Sequence, residues 1–296
     1  MRHLIALLAA VAVGSCASAP RPAAAPPPAI PRELTGATSF PANPAEPHLV
    51  NLRMLTHGGE NAEAYYSYDG SKLIFQARWP GISQCDQIYI MDVAGRNPHH
   101  VSDGKGRTTC AYFFKDGKRV LYSSTEAASP VCPPPPDYSQ GYVWGLYDYD
   151  IYTSNPDGSD RRVLFRSPAY DAEATISPDG RKIVFTSMRD GDLDIYTMDA
   201  DGSNVRKLTD EIGYDGGPFF SPDGTKIVYR AYHPDTPDKV EDYRRLLRQG
   251  VVRPTTMELW VMNADGSGKR QITHNGAANF APFFHPDGKR VIFASN

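Results

Sequence analysis

Short apolar runs rich in β-branched and aromatic residues recur along the chain, and each run ends at a cluster of Gly, Asp, Asn or Ser. The clearest example extends from Ala174 to Asp210 and contains four such runs. Runs of this composition are typical of β-strands, and Gly- and Asp-rich clusters provide the turns between strands. The pattern therefore predicts a unit of four short antiparallel strands.

Five copies of this unit follow position 57. Each copy has an Asp-Gly turn followed by a basic residue, two aliphatic residues and an aromatic residue, and the turn glycines are Gly70, Gly117, Gly180, Gly224 and Gly288. A second turn comes later in each of the four complete units, and the interval from it to the next first-turn glycine is always 22 residues. All variation in length is therefore predicted in the loop between the second and third strands.

A four-stranded repeat of about 44 residues is typical of a β-propeller blade. One blade cannot bury both faces of its sheet alone, so several blades pack around a common axis. A β-sandwich or an up-and-down barrel is the alternative all-β architecture, but neither explains the constant interval of 22 residues. We therefore predict a β-propeller of four-stranded blades over residues 48–296.

The repeat also sets the boundaries of the blades. Four complete blades are expected, together with the first two strands of a fifth in residues 274–296; the complete blades span 57–102, 103–165, 166–209 and 210–273. The segment from Leu49 to Thr56 matches the fourth strand of a blade. This strand is expected to pair with the first three strands of the last blade, because that closure removes exposed sheet edges.

Four motifs resemble the repeats of the TolB-like propellers: SPDG at 177–180 and 221–224, HPDG at 285–288 and DIYTMDADG at 194–202. The first two units depart from the motif, so slightly different turns are expected there, at SYDG 67–70 and FKDG 114–117. The resemblance implies six blades. From the length of the repeat, roughly 60 further residues are then expected beyond Asn296, so the fifth blade is expected to be truncated.

Residues 1–15 predict a lipoprotein signal peptide. Arg2 and His3 precede an apolar run that is too short to span a bilayer, and VGSC at 13–16 resembles the bacterial lipobox. Cys16 would then carry the lipid, and the Ala17 that follows it implies sorting to the outer membrane. A plain signal peptide cut elsewhere is the alternative.

The segment from 16 to 47 is dominated by Ala and Pro and predicts an extended tether. TolB itself carries an α/β domain before its propeller, and this tether stands in that place. The expected location is the cell envelope, as an outer-membrane lipoprotein that faces the periplasm and contacts the membrane only through its lipid anchor.

Composition narrows the possible functions. The 296 residues are 41% hydrophobic, with a net charge of −3 and a pI near 6.2, as in an ordinary soluble domain. Basic residues are spread one per blade, which argues against nucleic acid as a partner. The sequence contains no GxSxG motif, which argues against the active site of an α/β-hydrolase. The MDADGS and MNADGS loops lack the downstream Glu of a calcium loop and fit hairpin turns.

Two insertions between second and third strands are expected to emerge on the same face of the propeller. The first, from Thr125 to Asp148, contains four consecutive prolines and then several aromatic residues. Function often lies in loops on a rigid scaffold, so Tyr138, Tyr142 and Trp144 are candidates for an aromatic binding surface. The alternative is that the aromatic rings pack the insertion onto its own blade.

The second insertion, from Tyr232 to Met257, predicts a helix. Thr236 is the expected N-cap, Pro237 the first helical residue and Gly250 the terminator. The spacing places Val240, Tyr243 and Leu247 on the face that packs against the propeller. The opposite face carries Arg244, Arg245 and Arg248, which are expected either to meet an acidic partner or to be solvated.

Polar residues at the start of each innermost strand are candidates for a site at the mouth of the axial channel: Asn61, Glu63, Asp171, Glu173, Asp215 and Asn279. Equivalent positions in successive blades converge near the axis, so the four carboxylates are expected to gather there. Carboxylates at close range require a cation or a basic ligand group. Alternatively, they cap neighbouring backbone amides.

Three cysteines remain after lipidation, and export places them in an oxidising compartment. Cys85 and Cys132 lie in adaptable loops of neighbouring blades that share a face, so we favour a disulfide between them. Cys110 lies in an innermost strand, and a bond from Cys110 to Cys132 is the alternative.

Two functional hypotheses follow. The favoured one is a non-enzymatic, membrane-tethered periplasmic scaffold that binds a protein or an envelope component, with no catalytic residue and no cofactor. The alternative is a hydrolase or lyase that uses a divalent cation at the acidic channel mouth.

Overall fold

Strands form where the runs of β-branched and aromatic residues predict them, because both faces of these strands are buried between blades while Gly and Asp adopt the turn conformations. The structure, a computed structural model, describes residues 28–139 and 141–296. The predicted signal peptide, Cys16 and the first part of the tether lie outside the described residues.

Each complete blade is a four-stranded antiparallel sheet in which the strands follow chain order. An N-terminal strand pair and the first blade contain β1 (Thr35–Ser39), β2 (Arg53–Thr56), β3 (Glu60–Tyr66), β4 (Lys72–Arg78), β5 (Gln87–Asp92) and β6 (His99–His100). The second blade and its insertion contain β7 (Thr108–Phe113), β8 (Val120–Ser124), β9 (Trp144–Gly145), β10 (Asp150–Ser154) and β11 (Arg162–Phe165).

The third blade contains β12 (Asp171–Ile176), β13 (Lys182–Ser187), β14 (Asp194–Asp199) and β15 (Arg206–Lys207). The fourth blade and its insertion contain β16 (Tyr214–Phe220), β17 (Lys226–Tyr232), α1 (Pro237–Arg248), β18 (Val251–Val252), β19 (Glu258–Asn263) and β20 (Arg270–Gln271). The first two strands of a fifth blade are β21 (Asn279–Phe284) and β22 (Val291–Ser295). The predicted all-β propeller with four-stranded blades is confirmed.

The hydrophobic core lies between neighbouring blades. Ile74 and Ile90 of the first blade pack against Phe113 of the second, and Leu121 of the second blade packs against Phe185 of the third. These side chains are almost completely buried. Each blade therefore depends on its neighbours to bury its faces, as expected for a repeat architecture.

The Asp-Gly turns are held by a repeated hydrogen-bond pattern. In the third blade the Ser177 hydroxyl donates to Asp179 at 2.6 Å and accepts from the backbone N–H of Lys182 at 2.9 Å. Ser67 makes the same two contacts in the first blade, so the SYDG turn does not differ there. Phe114 has no hydroxyl to offer, so the turn of the second blade is held by backbone bonds and by the Asp116 carboxylate, which accepts from the Lys118 N–H at 3.0 Å.

The N-terminal segment differs from the prediction. Strand β2 pairs with β1, which lies inside the segment predicted to be an extended tether. The apolar residues Ile30 and Leu34 pack against the core cluster that contains Phe75 and Trp79. These contacts order part of the segment, because two partly buried aliphatic side chains can hold a short strand in a chain that is otherwise rich in Pro and Ala.

The two insertions meet on one face of the propeller, as predicted. Strand β9 of the first insertion pairs antiparallel with β18 of the second, with Trp144 opposite Val252. The predicted helix α1 has Thr236 as its N-cap and Pro237 as its first residue. Tyr243 is buried as expected, but Leu246 is the other fully buried residue of the helix. The insertions thus form a single β9–β18 ribbon across the channel mouth.

Candidate functional site

Every innermost strand has a β-bulge close to the channel. The register of the five inner strand pairs shifts at the same place. The residue within each bulge has a left-handed backbone, and these residues are Glu63 (φ 52°), Cys110 (φ 54°), Glu173 (φ 58°), Gly217 (φ 60°) and Ala281 (φ 48°). A bulge redirects the side chain at its position, and all five residues line the channel.

An ion pair between neighbouring blades crosses the channel wall. The Arg230 guanidinium on β17 donates to the Glu173 carboxylate on β12. Arg230 also donates to the Tyr214 hydroxyl, at 3.1 Å from Nε and at 2.9 Å from Nη2. The second Glu173 oxygen accepts from the Gly217 N–H at 2.9 Å and from the Thr186 hydroxyl at 2.8 Å. Glu173 is therefore fully engaged by the protein.

The surroundings of this cluster change the pKa of several groups. Burial opposes the charge of Arg230, but the neighbouring Glu173 and Tyr214 raise the pKa of the guanidinium. Burial raises the pKa of the Tyr214 hydroxyl well above its usual value. The pKa of the Cys110 thiol is also raised well above its usual value, first by burial and then by the charge of Glu63. Since the thiolate is the reactive form of cysteine, Cys110 is a weak nucleophile.

The insertions cover this cluster and enclose a cavity of about 390 Å³. Trp144 lies over Arg230, with 5.0 Å between the guanidinium carbon and the ring centroid, and it packs against Phe280 at 5.7 Å. The Tyr147 hydroxyl donates to the Pro134 carbonyl at 2.7 Å, which folds the proline run back over the mouth. The cavity therefore has a charged floor and an aromatic roof.

A second cavity of about 260 Å³ follows along the channel, away from the insertions. Its walls carry three aromatic rings, with centroid distances of 5.2 Å from Tyr65 to Tyr112 and 5.6 Å from Tyr65 to Phe219. Both cavities are lined by Glu63, Cys110, Glu173 and Arg230. We call these four residues the waist of the channel, because they separate the covered cavity from the aromatic one.

Known proteins share this architecture. Residues 146–241 match the family model of the TolB beta propeller domain. The chain therefore has the fold of the TolB-like β-propellers. A putative TolB from Agrobacterium tumefaciens is 21% identical, with a TM-score of 0.57 over 83% of this chain and 79% of that one. TolB from Acinetobacter baumannii is 18% identical, with a TM-score of 0.59 over 81% of this chain and 49% of that one.

Two further proteins are similar to this chain. A chain of the nidogen/laminin complex is 14% identical, with a TM-score of 0.57 over 89% of this chain and 83% of that one. Dipeptidyl-peptidase 5 from Porphyromonas gingivalis is 49% identical over 41 residues, which is 14% of this chain but only 6% of that relative. The shared segment with the peptidase is thus about one repeat unit. The likeness to the solved structures shows the fold alone.

The TolB-like propeller brings together only part of the predicted acidic mouth. Glu63 and Glu173 line the channel. Asp171 is buried elsewhere, where it accepts from the Ser167 N–H at 2.7 Å and from the Ser187 hydroxyl at 2.6 Å. These contacts match the alternative that a carboxylate caps neighbouring polar groups.

Asp215 also turns away from the channel and lies 3.0 Å from Nε2 of His233. Asn61 donates to the Gly58 carbonyl at 2.9 Å, and Asn279 is buried and donates to the Met257 carbonyl at 2.8 Å. The bulge explains the difference, because it breaks the alternation that would place the first and third residues of each strand on one face. Within residues 28–139 and 141–296, no group of three or more His, Cys, Asp or Glu could hold a metal ion.

The aromatic residues of the first insertion take two roles. Tyr138 and Tyr142 are 50% and 62% exposed, and their rings stack with centroids 6.2 Å apart. Trp144 donates from Nε1 to the Tyr142 hydroxyl at 3.1 Å and is half-buried. Tyr149 is buried, so packing onto the blade explains this ring. The exposed pair and the covered cavity thus share one wall.

The three arginines of α1 lie at the surface or close to it. Arg245 pairs with Asp242 at 2.5 Å, and Arg248 pairs with Glu241 at 2.7 Å. Arg244 is exposed. Pairs of this kind within a helix agree with the solvated face that was the alternative prediction. In the described part of the chain, no helix is long and apolar enough to cross a membrane.

A disulfide joins Cys85 to Cys132, as favoured from the sequence, with 5.6 Å between the two Cα atoms. Cys110 is a free thiol in the channel. The bond connects the loop of the first blade to the first insertion, so it ties the roof of the covered cavity to the blade ring.

Arg230, Tyr214 and Cys110 are site residues that sequence reasoning missed. The repeat itself could have indicated Arg230. Arg230 directly follows the aromatic residue of its second strand, and the same position can be compared in every unit. That column contains Gln76, Ser123, Thr186, Arg230 and Ala294. Gln76 and Thr186 both bond bulge residues, as Arg230 does. Comparison of this column across the blades would have identified its only charged member.

Proposed function

We propose that this TolB-like propeller is a non-enzymatic scaffold of the cell envelope, and that a protein partner docks at the mouth covered by the β9–β18 ribbon. The observation that carries the proposal is the exposed, stacked pair of Tyr138 and Tyr142 on a loop fixed by the disulfide. Exposed aromatic residues on a pre-ordered surface are typical of binding hot spots, because little conformational entropy is lost on binding.

The fold supports a role in protein binding. The nidogen/laminin complex contains a chain with this fold, so a propeller of this kind is compatible with a place in a protein assembly. The insertions here lie at one mouth of the ring, where residues of several blades and both insertions form a continuous surface. Loops on a rigid scaffold commonly provide such surfaces.

We further propose that Cys16 is lipidated and anchors the protein in the outer membrane, with the propeller in the periplasm. The lipobox-like VGSC sequence supports this location. The segment between Cys16 and the first described residue would separate the propeller from the bilayer.

Capture of a partner from envelope extracts tests the proposal. We expect chemical crosslinking to join the wild-type protein to a partner that binds again after purification. The double variant Tyr138→Ser/Tyr142→Ser should weaken that binding at least about tenfold, since two aromatic anchors are lost. Tyr66→Ser is a matched control, because Tyr66 is 66% exposed on the first blade. Equal binding by the double variant would place the docking surface elsewhere.

The metal-dependent alternative loses the carboxylate cluster on which it rested, since Asp171 and Asp215 point away from the channel. Arg230 already neutralises Glu173. Calorimetric titration with calcium, zinc and manganese is the direct test, and we expect no heat of binding. Saturable binding that is lost in Glu63→Asn would restore this alternative.

A further inference from the structure

Glu63 lies at the waist between the two cavities and has no cation of its own. The neighbouring cation, Arg230, is paired with Glu173 and bonded to Tyr214. Among the described residues no ion pair includes Glu63. When its members are ionised, the waist therefore contains two carboxylates and one guanidinium, and it has an excess of one negative charge.

A neighbouring carboxylate opposes this unpaired charge. Glu63 is exposed to solvent in the channel wall, yet desolvation there raises the pKa of its carboxyl and the charge of Glu173 raises it further, against the opposing effect of Arg230. Glu63 also has a left-handed backbone with a φ of 52°, a conformation that is unfavourable for a residue of this type. A positively charged group placed beside the carboxylate would offset its repulsion by Glu173.

The aromatic cavity suits the rest of such a ligand. Tyr65, Tyr112 and Phe219 line it, and further walls are formed by small residues, including Ala64 and Ala174. Aromatic faces attract organic cations and pack against the aliphatic chain that carries them. The volume of about 260 Å³ accommodates a slender chain.

We propose that Glu63 binds an organic cation, either a primary ammonium or a guanidinium, at the end of a slender chain that lies along the aromatic cavity. This inference deepens the proposed binding function by naming the chemical class that the channel accepts. The cation is supplied by a free amine or by a Lys or Arg side chain of the partner. Both sources offer the same chemistry to Glu63.

The test uses the full chain and isothermal titration calorimetry. The free-amine probe is n-butylammonium, with n-butanol as a neutral analogue of similar shape. The peptide probe is acetyl-Ala-Lys-Ala-amide, with Gln in place of Lys as its control. Asp and Asn both tolerate a left-handed backbone, so Glu63→Asp and Glu63→Asn are a matched pair that differs in charge alone.

We expect at least one cationic probe to bind at about 10 mM or below and its neutral analogue to bind at least tenfold more weakly. Glu63→Asp should retain the preference for the cation, whereas Glu63→Asn should lose it. Glu60→Gln is a control, because Glu60 lies on the same strand but pairs with Arg78 at the surface. Thermal unfolding of each variant verifies the fold.

Three outcomes would overturn the inference: no binding of either cation, equal binding of the neutral analogues, or an undiminished preference in Glu63→Asn. Tighter binding of the lysine peptide than of n-butylammonium would assign the cation to a protein side chain, and the reverse order would assign it to a free amine. The proposed docking surface is tested separately through Tyr138 and Tyr142. A failure at Glu63 therefore leaves that proposal standing.

Discussion

The guanidinium of Arg230 lies 5.0 Å from the centroid of the Trp144 ring, so the roof of the covered cavity rests on the ion pair at its floor. Trp144 belongs to the β9–β18 ribbon, and Arg230 belongs to the second strand of the fourth blade. This contact couples the insertions to the blades, because removal of either side chain exposes the other. The channel mouth should therefore respond as one unit to changes at Arg230.

We expect Arg230→Met to destabilise the protein by about 3 kcal/mol, because it leaves the Glu173 carboxylate without its cation in a site of low polarity. Urea unfolding measures the change. Arg244→Met is the control, since Arg244 is exposed on α1, and it should alter stability by less than about 0.5 kcal/mol. Addition of Glu173→Gln to Arg230→Met should restore part of the loss. A single variant as stable as the wild type would contradict the role assigned to the pair.

Stability should decrease as the pH rises through the folded-state pKa of His233. Burial opposes protonation of this ring, but the hydrogen bond to Asp215 and the charges of Asp215 and Glu211 raise its pKa above the usual 6.5. A raised histidine pKa stabilises the folded state below the unfolded-state value, and this contribution disappears above the folded-state value.

Thermal unfolding between about pH 6 and pH 9 measures this dependence. His233→Asn is the comparison, because it cannot be protonated while the other titrating groups remain. The difference in unfolding temperature between wild type and variant should shrink as the pH rises. A constant difference would show that His233 does not change its protonation in this range.

Loss of the disulfide should destabilise the protein and loosen the roof. The bond connects residues 47 positions apart, and the chain-entropy model assigns about 4 kcal/mol to a loop of this length. We expect Cys85→Ser/Cys132→Ser to unfold at lower urea and to be cleaved faster within residues 126–142. Cys110→Ser is the control for loss of a sulfur atom. Peptide mapping without reduction should find Cys85 linked to Cys132; a linked peptide containing Cys110 would refute the pairing.

Cys16→Ala should release the protein from the membrane into the soluble periplasmic fraction, because the lipid is its only proposed anchor. Fractionation of cells that produce wild type or variant measures the distribution. A variant that stays with the outer membrane would show that the lipobox interpretation is wrong.

The local pattern determined most of the fold. Runs of β-branched and aromatic residues, Asp-Gly turns and the interval of 22 residues placed all four complete blades and both insertions. The helix from Pro237 to Arg248 follows from its N-cap and its first proline. These features are encoded by neighbouring residues, because turns, caps and strand alternation depend on local backbone preferences.

Tertiary structure alone decided the site. The bulge at Glu173 redirects its side chain into the channel while Asp171, two residues earlier, points away. The pairing of Trp144 with Val252 joins two insertions that are far apart in the sequence. Local preferences carry no information about either event, because both depend on how the packing of successive blades brings distant backbone segments within hydrogen-bonding distance. The sequence by itself thus determined a propeller, and the packing of its blades determined which charges meet at the axis.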